Sequence, residues 1–342
     1  GVRHPSALVR VRIGKAGGKA GSGVLHANGR RFPVRWNAGG GEAEIRVQYP
    51  KDAQTWDEWN PALQQLALRL SGGGAEDSRR LRFGFVEIKA VGKDILVNGR
   101  PAFFRGTHDG GGFPLTGYPP TDIASWKRIF RINKAWGINH VRFHSYNPPE
   151  AAFAAADEVG IYLQAEPGMW NTVSPGTPME AMLYEESERM LRAFGNHPSF
   201  LLFSPSNEPK GNWKAAFDKW IAHYRQQDPR RLYTNGTGHT EPSVPELDQG
   251  TDFLAVQRIG PKPLRNKTGW FGRDYARSLE DVAVPVITHE IGQWVAYPDF
   301  SVIDKFKGYL RPGNYEIMRD AARANGVLEK NREFALASGA FQ

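Results

Sequence analysis

The chain has 342 residues, a net charge of +8 from 44 Lys and Arg against 36 Asp and Glu, 40% hydrophobic and 23% charged residues, and no cysteine. This is a globular composition, long enough for one large domain or two ordinary ones. It excludes disulfide frameworks, thiolate zinc sites and cysteine nucleophiles.

Apolar runs such as Phe200–Phe203 fall far short of the ~18 residues of a membrane span, so no membrane span is expected. The chain opens at Gly1 without a basic-then-apolar leader. It is read as part of a longer parent that is expected to be secreted or periplasmic. A pI of about 9.6 invites a nucleic-acid reading. The positive charges, however, come in twos and threes (Arg79, Arg80, Arg82; Arg128, Arg131; Arg230, Arg231), as on a solvated surface, and no nucleic-acid partner is expected. The aromatics, 19 Phe, 11 Tyr and 10 Trp, say more. Several Trp sit beside Gly, Pro or Asn, where a flat apolar face can stack on a ligand.

Residues 1–82 read as short strands: Leu8–Ile13, Val24–Leu25, Phe32–Trp36, Ile45–Val47 and Leu63–Leu70, with Gly-rich turns between them. That spacing predicts a small antiparallel sandwich. The glycines near residue 20 lack the strand-then-helix setting and Lys-Ser/Thr ending of a phosphate loop. After Arg82 apolar strands alternate with helical patterns, as in parallel β/α units. Strands are expected at Ala102–Arg105, Ile138–Phe143, Ile161–Ala165, Phe200–Ser204, Leu232–Asn235, Phe253–Gln257 and Val286–His289. Helices are expected at Asp122–Trp136, Pro149–Val159, Met179–Phe194, Trp213–Gln227 and Tyr275–Leu279, with a last one within 314–336. Seven strands are one short of a (β/α)8 barrel, so the eighth is expected beyond Gln342. A doubly wound sheet fits less well, because no glycine fingerprint follows the first strand.

In such a barrel the site lies at the C-terminal strand ends. Those ends carry His108 and Asp109, Arg142 and His144, Glu166, Asn207 and Glu208, and His289 and Glu290. Glu208 and Glu290 end the fourth and seventh strands, on roughly opposite sides of the mouth. Acetal hydrolysis needs such a pair, one carboxyl protonated to assist the leaving oxygen and one ionised to attack or to activate water. Asn207 can donate to a sugar hydroxyl, as can His144, with His140 lower on the same strand face. A metal at His140 and His144 lacks a third ligand at a typical spacing. Ser145 and Ser206 lack a nucleophile-elbow setting.

At these residues the sequence resembles glycoside hydrolase family 2, the β-galactosidases, β-glucuronidases and β-mannosidases. Ile95–Pro101 with Arg105-Gly106 and His108-Asp109 resembles that family's lead-in to its barrel. Gly137–Arg142 with His144, Asp157–Tyr162 with Glu166, and Asn196–Ser199 with Ser206-Asn207-Glu208 resemble its following segments. Trp56–Leu63 resembles the last strands of its immunoglobulin-like domain. The resemblance implies Glu208 as acid/base, Glu290 as nucleophile of a retaining double displacement, Asn207 on the 2-hydroxyl, His144 on the substrate, and Trp294 in the sugar platform. The family's Tyr near the end of the sixth strand is replaced by Gln257-Arg258, and Arg258 could favour an acidic sugar. Pro167-Gly168-Met169-Trp170 lacks the His that ligates a metal in some relatives, so no metal or cofactor is expected.

The expected architecture is therefore an immunoglobulin-like β-sandwich at 1–82 and a (β/α)8 TIM barrel lacking its last strand at 83–342. The expected activity is that of an exo-β-glycosidase on terminal sugars of oligo- or polysaccharides, β-galactosidase-like as a first guess. The rival is a non-catalytic carbohydrate-binding relative that keeps the cleft. Candidate substrate-binding residues are Asn207, His144, Arg142, His108, Asp109, Glu166, Trp294 and Arg258.

Overall fold

The computed structural model describes residues 5–14, 17–238, 250–259, 262–264, 275–291 and 296–340. The first six strands are β1 (Ser6–Ile13), β2 (Gly21–Ala27), β3 (Arg30–Trp36), β4 (Gly41–Gln48), β5 (Gln64–Gly72) and β6 (Ala75–Phe83). They form a two-stranded sheet, β1-β4, and a four-stranded sheet, β3-β2-β5-β6. Alternating residues supply the layer between the sheets, with Val9, Ile13, Ile45 and Val47 facing Leu25, Ala27, Val34, Trp36 and Leu66.

The composition of β6, Ala-Glu-Asp-Ser-Arg-Arg-Leu-Arg-Phe, hides it from a hydrophobic pattern. Antiparallel pairing with β5 across nine positions makes it a strand, and the tight Gly73-Gly74 turn at φ 59° and 80° sets its register. Two of its three arginines are ion-paired, Arg79 to Asp77 at 2.9 Å and Arg82 to Glu158 at 2.7 Å.

The Trp56–Leu63 segment, expected as the last strands of the sandwich, is instead a loop between β4 and β5 that docks under the second domain. Trp56 is fully buried there, stacks edge-on against Tyr162 at 5.8 Å, and donates Nε1 to Asp157 O at 2.8 Å. Asn139 Nδ2 donates to Glu58 Oε1 at 2.9 Å, and Lys134 Nζ donates to Glu58 O at 2.5 Å. Gly160, the left-handed cap of the helix that carries Asp157, lies so close to this loop that a Cβ there would stand 2.8 Å from Glu58 O.

A small sheet of β7 (Ile88–Val91), β8 (Asp94–Val97) and β9 (Arg100–Pro101) leads into the second domain. Strands β10 (Gly106–Asp109), β11 (His140–Phe143), β12 (Tyr162–Ala165), β13 (Phe200–Phe203) and β14 (Leu232–Tyr233) then form a parallel sheet in chain order. Thr237, past β14, bridges Asn207 on one side and Ala255 on the other. Ala255 lies in β15 (Leu254–Val256), beyond which the short β16 (Arg258–Ile259) and β17 (Lys262–Pro263) pair with each other. Strand β18 (Val286–Thr288) pairs in parallel with β15.

The first barrel strand lies four residues later than expected. Ala102 donates instead to Ile95 O in the lead-in sheet, while Gly106–Asp109 pair with β11. Among the described residues no strand follows Thr288.

Helices α1 (Ile123–Ala135), α2 (Glu150–Val159), α3 (Pro178–Phe194) and α4 (Trp213–Gln227) fall where their apolar periodicity places them. Asp122 caps α1 through Ser125 N at 2.8 Å. Thr177 and Glu180 form a reciprocal cap on α3, Thr177 Oγ1 accepting from Glu180 N and Glu180 Oε2 from Gly176 N. Between these helices and the sheet lies a layer rich in aromatic rings, among them Trp126, Phe143, Phe203, Trp220 and Tyr224.

The stretch 276–279 is a single 3-10 turn. The single last helix is two, α5 (Gly313–Ala324) and α6 (Asn331–Ala340), because Gly326 takes φ 68° and breaks the run.

Trp56 joins the sandwich loop to the barrel floor with both its ring and its N–H. Trp56→Ala is expected to lower the unfolding free energy by about 3–5 kcal/mol. A denaturant titration of the full chain checks this, and a loss below about 1 kcal/mol contradicts the docking role.

Candidate active site

The strand alternation that buries His140 and Arg142 on one face of β11 points the Arg142 guanidinium into the barrel mouth. There it forks onto Glu166, with Nε to Oε1 at 2.7 Å and Nη2 to Oε2 at 3.1 Å. Glu166 has no exposed surface. Ser145 N, at 2.9 Å, and Thr237 Oγ1, at 3.1 Å, also donate to it. A carboxylate so buried is tolerable only when paired and fully hydrogen-bonded, and removing one partner of such a pair costs about 3–5 kcal/mol.

Arg142 Nη2 also donates to Asn207 Oδ1 at 2.7 Å and to Thr237 Oγ1 at 2.8 Å. Arg142 and Glu166, expected on the substrate, thus form the floor of the site.

Above this floor stand the two carboxylates. Glu208 and Glu290 have positive φ, 36° and 48°, and Ser145 beside Glu166 has 56°. Non-glycine residues held in this region cost about 1–3 kcal/mol each and concentrate at functional sites. Backbone contacts fix the first of them, with Glu208 N donating to Thr237 O at 2.7 Å and Asn207 N to Met169 O at 3.1 Å. Ligand atoms of Glu208, His289 and Glu290 all lie within 4.8 Å of one another. This is the one group among the described residues spaced to hold a metal ion, through two carboxylate oxygens and a ring nitrogen.

Three nitrogens approach Glu290 Oε1: His289 Nε2 at 3.0 Å, His144 Nε2 at 3.6 Å and Arg142 Nη1 at 3.7 Å. Glu208 Oε1 accepts from the neutral amide of Gln257 at 3.0 Å. Asn207 is fully buried, and its amide nitrogen has no hydrogen-bond partner while its oxygen is held by Arg142.

The rim is aromatic. His144 packs edge-on against Trp170 at 5.1 Å and against His108 at 5.6 Å, and Trp170 is 56% exposed. Asp109 is engaged locally, accepting from Tyr146 OH at 3.0 Å and Gly111 N at 2.7 Å. Burial, followed by Asp109 itself, pushes the Tyr146 phenol well above its ordinary range. Arg258 is half-buried just beyond Gln257, its backbone paired with Pro263. Trp294 lies outside the described residues.

Sequence reasoning thus placed Asn207, Glu208, Glu290 and His144 in one cluster, and the structure brings them together. It missed Gln257, Thr237, His289 and Trp170 as participants. His289 was visible as the residue before a strand-end Glu, and Trp170 as a Trp in a Gly-containing loop. Nothing local marks Thr237.

Residues 86–253 match the family described as glycosyl hydrolases family 2, TIM barrel domain. The chain is 27% identical over 216 residues to a β-galactosidase large subunit of Latilactobacillus sakei, an alignment over 56% of this chain and 33% of that protein. It is 26% identical over 200 residues to the β-glucuronidase of Sus scrofa, over 56% of this chain and 30% of that one. Among solved structures, a family 2 β-galacturonidase from Eisenbergiella tayi bound to glycerol superposes with a TM-score of 0.66 at 19% identity. That match covers 83% of this chain and 52% of the other. The chain spans about a third of the length of the curated relatives it matches.

Beneath Arg142, His140 is buried with both ring nitrogens unpaired, and burial first, then Arg142, pushes its pKa down to about 3. The unfolded chain binds this proton near ~6.5 and the folded one does not until about 3. Stability from this site is therefore full above ~6.5 and falls with pH by about 1.4 kcal/mol per unit. Urea titrations between about pH 7 and 4 are expected to show a flatter fall for His140→Leu than for the parent; equal slopes contradict the assignment.

Proposed function

From the match of residues 86–253 to the family 2 barrel domain, we propose that this chain belongs to glycoside hydrolase family 2 and is the catalytic part of a retaining exo-β-glycosidase. Terminal β-linked sugars are its substrates, Glu290 is the nucleophile and Glu208 the acid/base. The observation that carries this reading is the approach of the two carboxylates, one oxygen of each lying within 4.8 Å of the other. Retaining enzymes hold the pair about 5–5.5 Å apart, and inverting ones leave about 6.5–9.5 Å for a water.

The division of roles follows the surroundings. Glu290 faces a guanidinium and two imidazoles, which suits the group that must stay ionised to attack. Glu208 has a neutral amide partner, which accepts either protonation state. In the first step Glu290 attacks the anomeric carbon while Glu208 protonates the departing glycosidic oxygen, leaving a glycosyl ester on Glu290. In the second, Glu208 takes a proton from water, which attacks the same carbon and releases Glu290.

The partnerless amide nitrogen of Asn207 supplies a donor for a sugar hydroxyl. His144 and Trp170 supply a polar edge and a flat face at the rim. The sandwich at the N-terminal side fits the immunoglobulin-like domain of the family. The two curated relatives are named for different sugars, a galactoside and a glucuronide. β-Galactosides are the first substrate to try, and Arg258 gives an acidic sugar a cationic neighbour.

The test is hydrolysis of aryl β-glycosides (galactoside, glucoside, glucuronide, mannoside, xyloside) by the full chain. Glu290→Ala is expected to lose at least ~10⁴-fold in turnover, and Glu208→Ala about 10²–10⁴-fold, the smaller losses on the best leaving groups. Sugar binding with no turnover on any member would favour the non-catalytic relative.

A further inference from the structure

The double displacement leaves two buried polar side chains unused, Gln257 at the end of β15 and His289 at the end of β18. The amide nitrogen of Gln257 lies 3.0 Å from Glu208 Oε1 and 3.2 Å from His289 Nδ1. The other ring nitrogen, Nε2, lies 3.0 Å from Glu290 Oε1 and 3.1 Å from Asn207 Oδ1.

Hydrogen-bond chemistry fixes the protons. An amide NH2 group only donates, and it has two hydrogens. Turning the amide over would set its oxygen against the Glu208 carboxylate, so Gln257 gives one hydrogen to Glu208 and the other to His289 Nδ1. Nδ1 must then carry a lone pair, which puts the proton of the neutral imidazole on Nε2, facing two oxygen acceptors. Burial acts the same way. Desolvation is the largest influence on His289 and holds its pKa below the ordinary value; Arg142 lowers it further, while Glu290 and Glu166 oppose. Gly238, itself at φ +76°, packs close against the ring: a Cβ there would stand 2.5 Å from His289 Cε1.

We propose that Gln257 and His289 are positioning residues, which link the acid/base to the nucleophile in one hydrogen-bond chain: Glu208 to the Gln257 amide, to Nδ1 and then Nε2–H of His289, to Glu290. This rests on the retaining-glycosidase reading and deepens it. The chain uses Oε1 of each carboxylate. A protonated Glu208 and an esterified Glu290 each keep a carbonyl oxygen that still accepts, so the chain survives every state of the cycle.

The experiment combines nitrogen-15 histidine NMR of the full chain with kinetics on the best aryl β-glycoside. The ring signals absent from His289→Gln are expected to show Nε2 protonated and Nδ1 bare between about pH 6 and 8, and Gln257→Leu is expected to lose that preference. His289→Leu is expected to lower kcat/KM by about 10²-fold. His289→Gln, whose amide restores a donor towards Glu290, should recover to within about tenfold of the parent. Thermal unfolding of each variant separates a folding defect from a lost contact.

A His289 protonated at Nδ1 or cationic in this range overturns the proposal. So does a folded His289→Leu with parental kcat/KM, or a His289→Gln as impaired as His289→Leu. The NMR result does not depend on turnover. An inactive parent with the expected tautomer would therefore count against the glycosidase reading, and an active parent with the other tautomer against the hydrogen-bond chain.

Discussion

A carboxylate with no exposed surface cannot stay ionised in a protein interior unless cations and donors replace its water. Glu166 is such a carboxylate, and Arg142 answers it with a two-pronged bond completed by Ser145 N and Thr237 Oγ1. Because Arg142 Nη2 also carries Asn207 Oδ1 and Thr237 Oγ1, this pair ties the ends of β11, β12 and β13 and the segment after β14 into one rigid floor. Asn207 is thereby fixed with its oxygen on Arg142 and its NH2 unpaired, and Glu208 follows it directly in the chain. The groups at the strand ends inherit their places from this buried pair.

The two carboxylates have backbone strain in common. Both take a positive φ, a conformation that residues other than glycine hold only when the surrounding structure imposes it. For Glu208 the constraint is visible in its N–H bond to Thr237 O and in the bridge between Asn207 and Thr237. The strain turns the chain sharply at the strand end, so that the side chain enters the mouth instead of continuing the alternation of the strand. Close approach of two carboxylates carries an electrostatic cost. The neutral Gln257 amide on one side, and Arg142, His144 and His289 on the other, give each carboxylate a different environment.

The sandwich and the barrel meet through the loop of Trp56 and Glu58. Its ring, carboxylate and carbonyl contact Tyr162, Asp157, Asn139 and Lys134. These residues belong to or follow α1 and α2, or begin β11 and β12, at the end of the sheet opposite the catalytic mouth. The second domain is thus braced from below, away from its strand tops.

Local pattern determined much of this molecule. The alternation in β1 to β5, the apolar blocks of β11 to β13, the amphipathic runs of α1 to α4 and the polar residues at strand ends were legible, because each follows from burial of a face or from a short apolar run. The pairing of Glu208 with Glu290 was legible once the strands were counted. Where partners are distant, the sequence fell short. Strand β6 is polar and exists because β5 templates it. The first barrel strand lies at Gly106–Asp109 because β11 pairs there, not where the more apolar Ala102–Arg105 lies. Arg142 and Glu166 read as substrate contacts because nothing in sequence shows that they face each other across two strands. Only the tertiary structure decided which polar group meets which: His289 against Gln257, Thr237 against Glu166, the Asn207 oxygen turned to Arg142. Hydrogen-bond partners 30 to 95 residues apart are set by the closing of the sheet, which no local signal encodes.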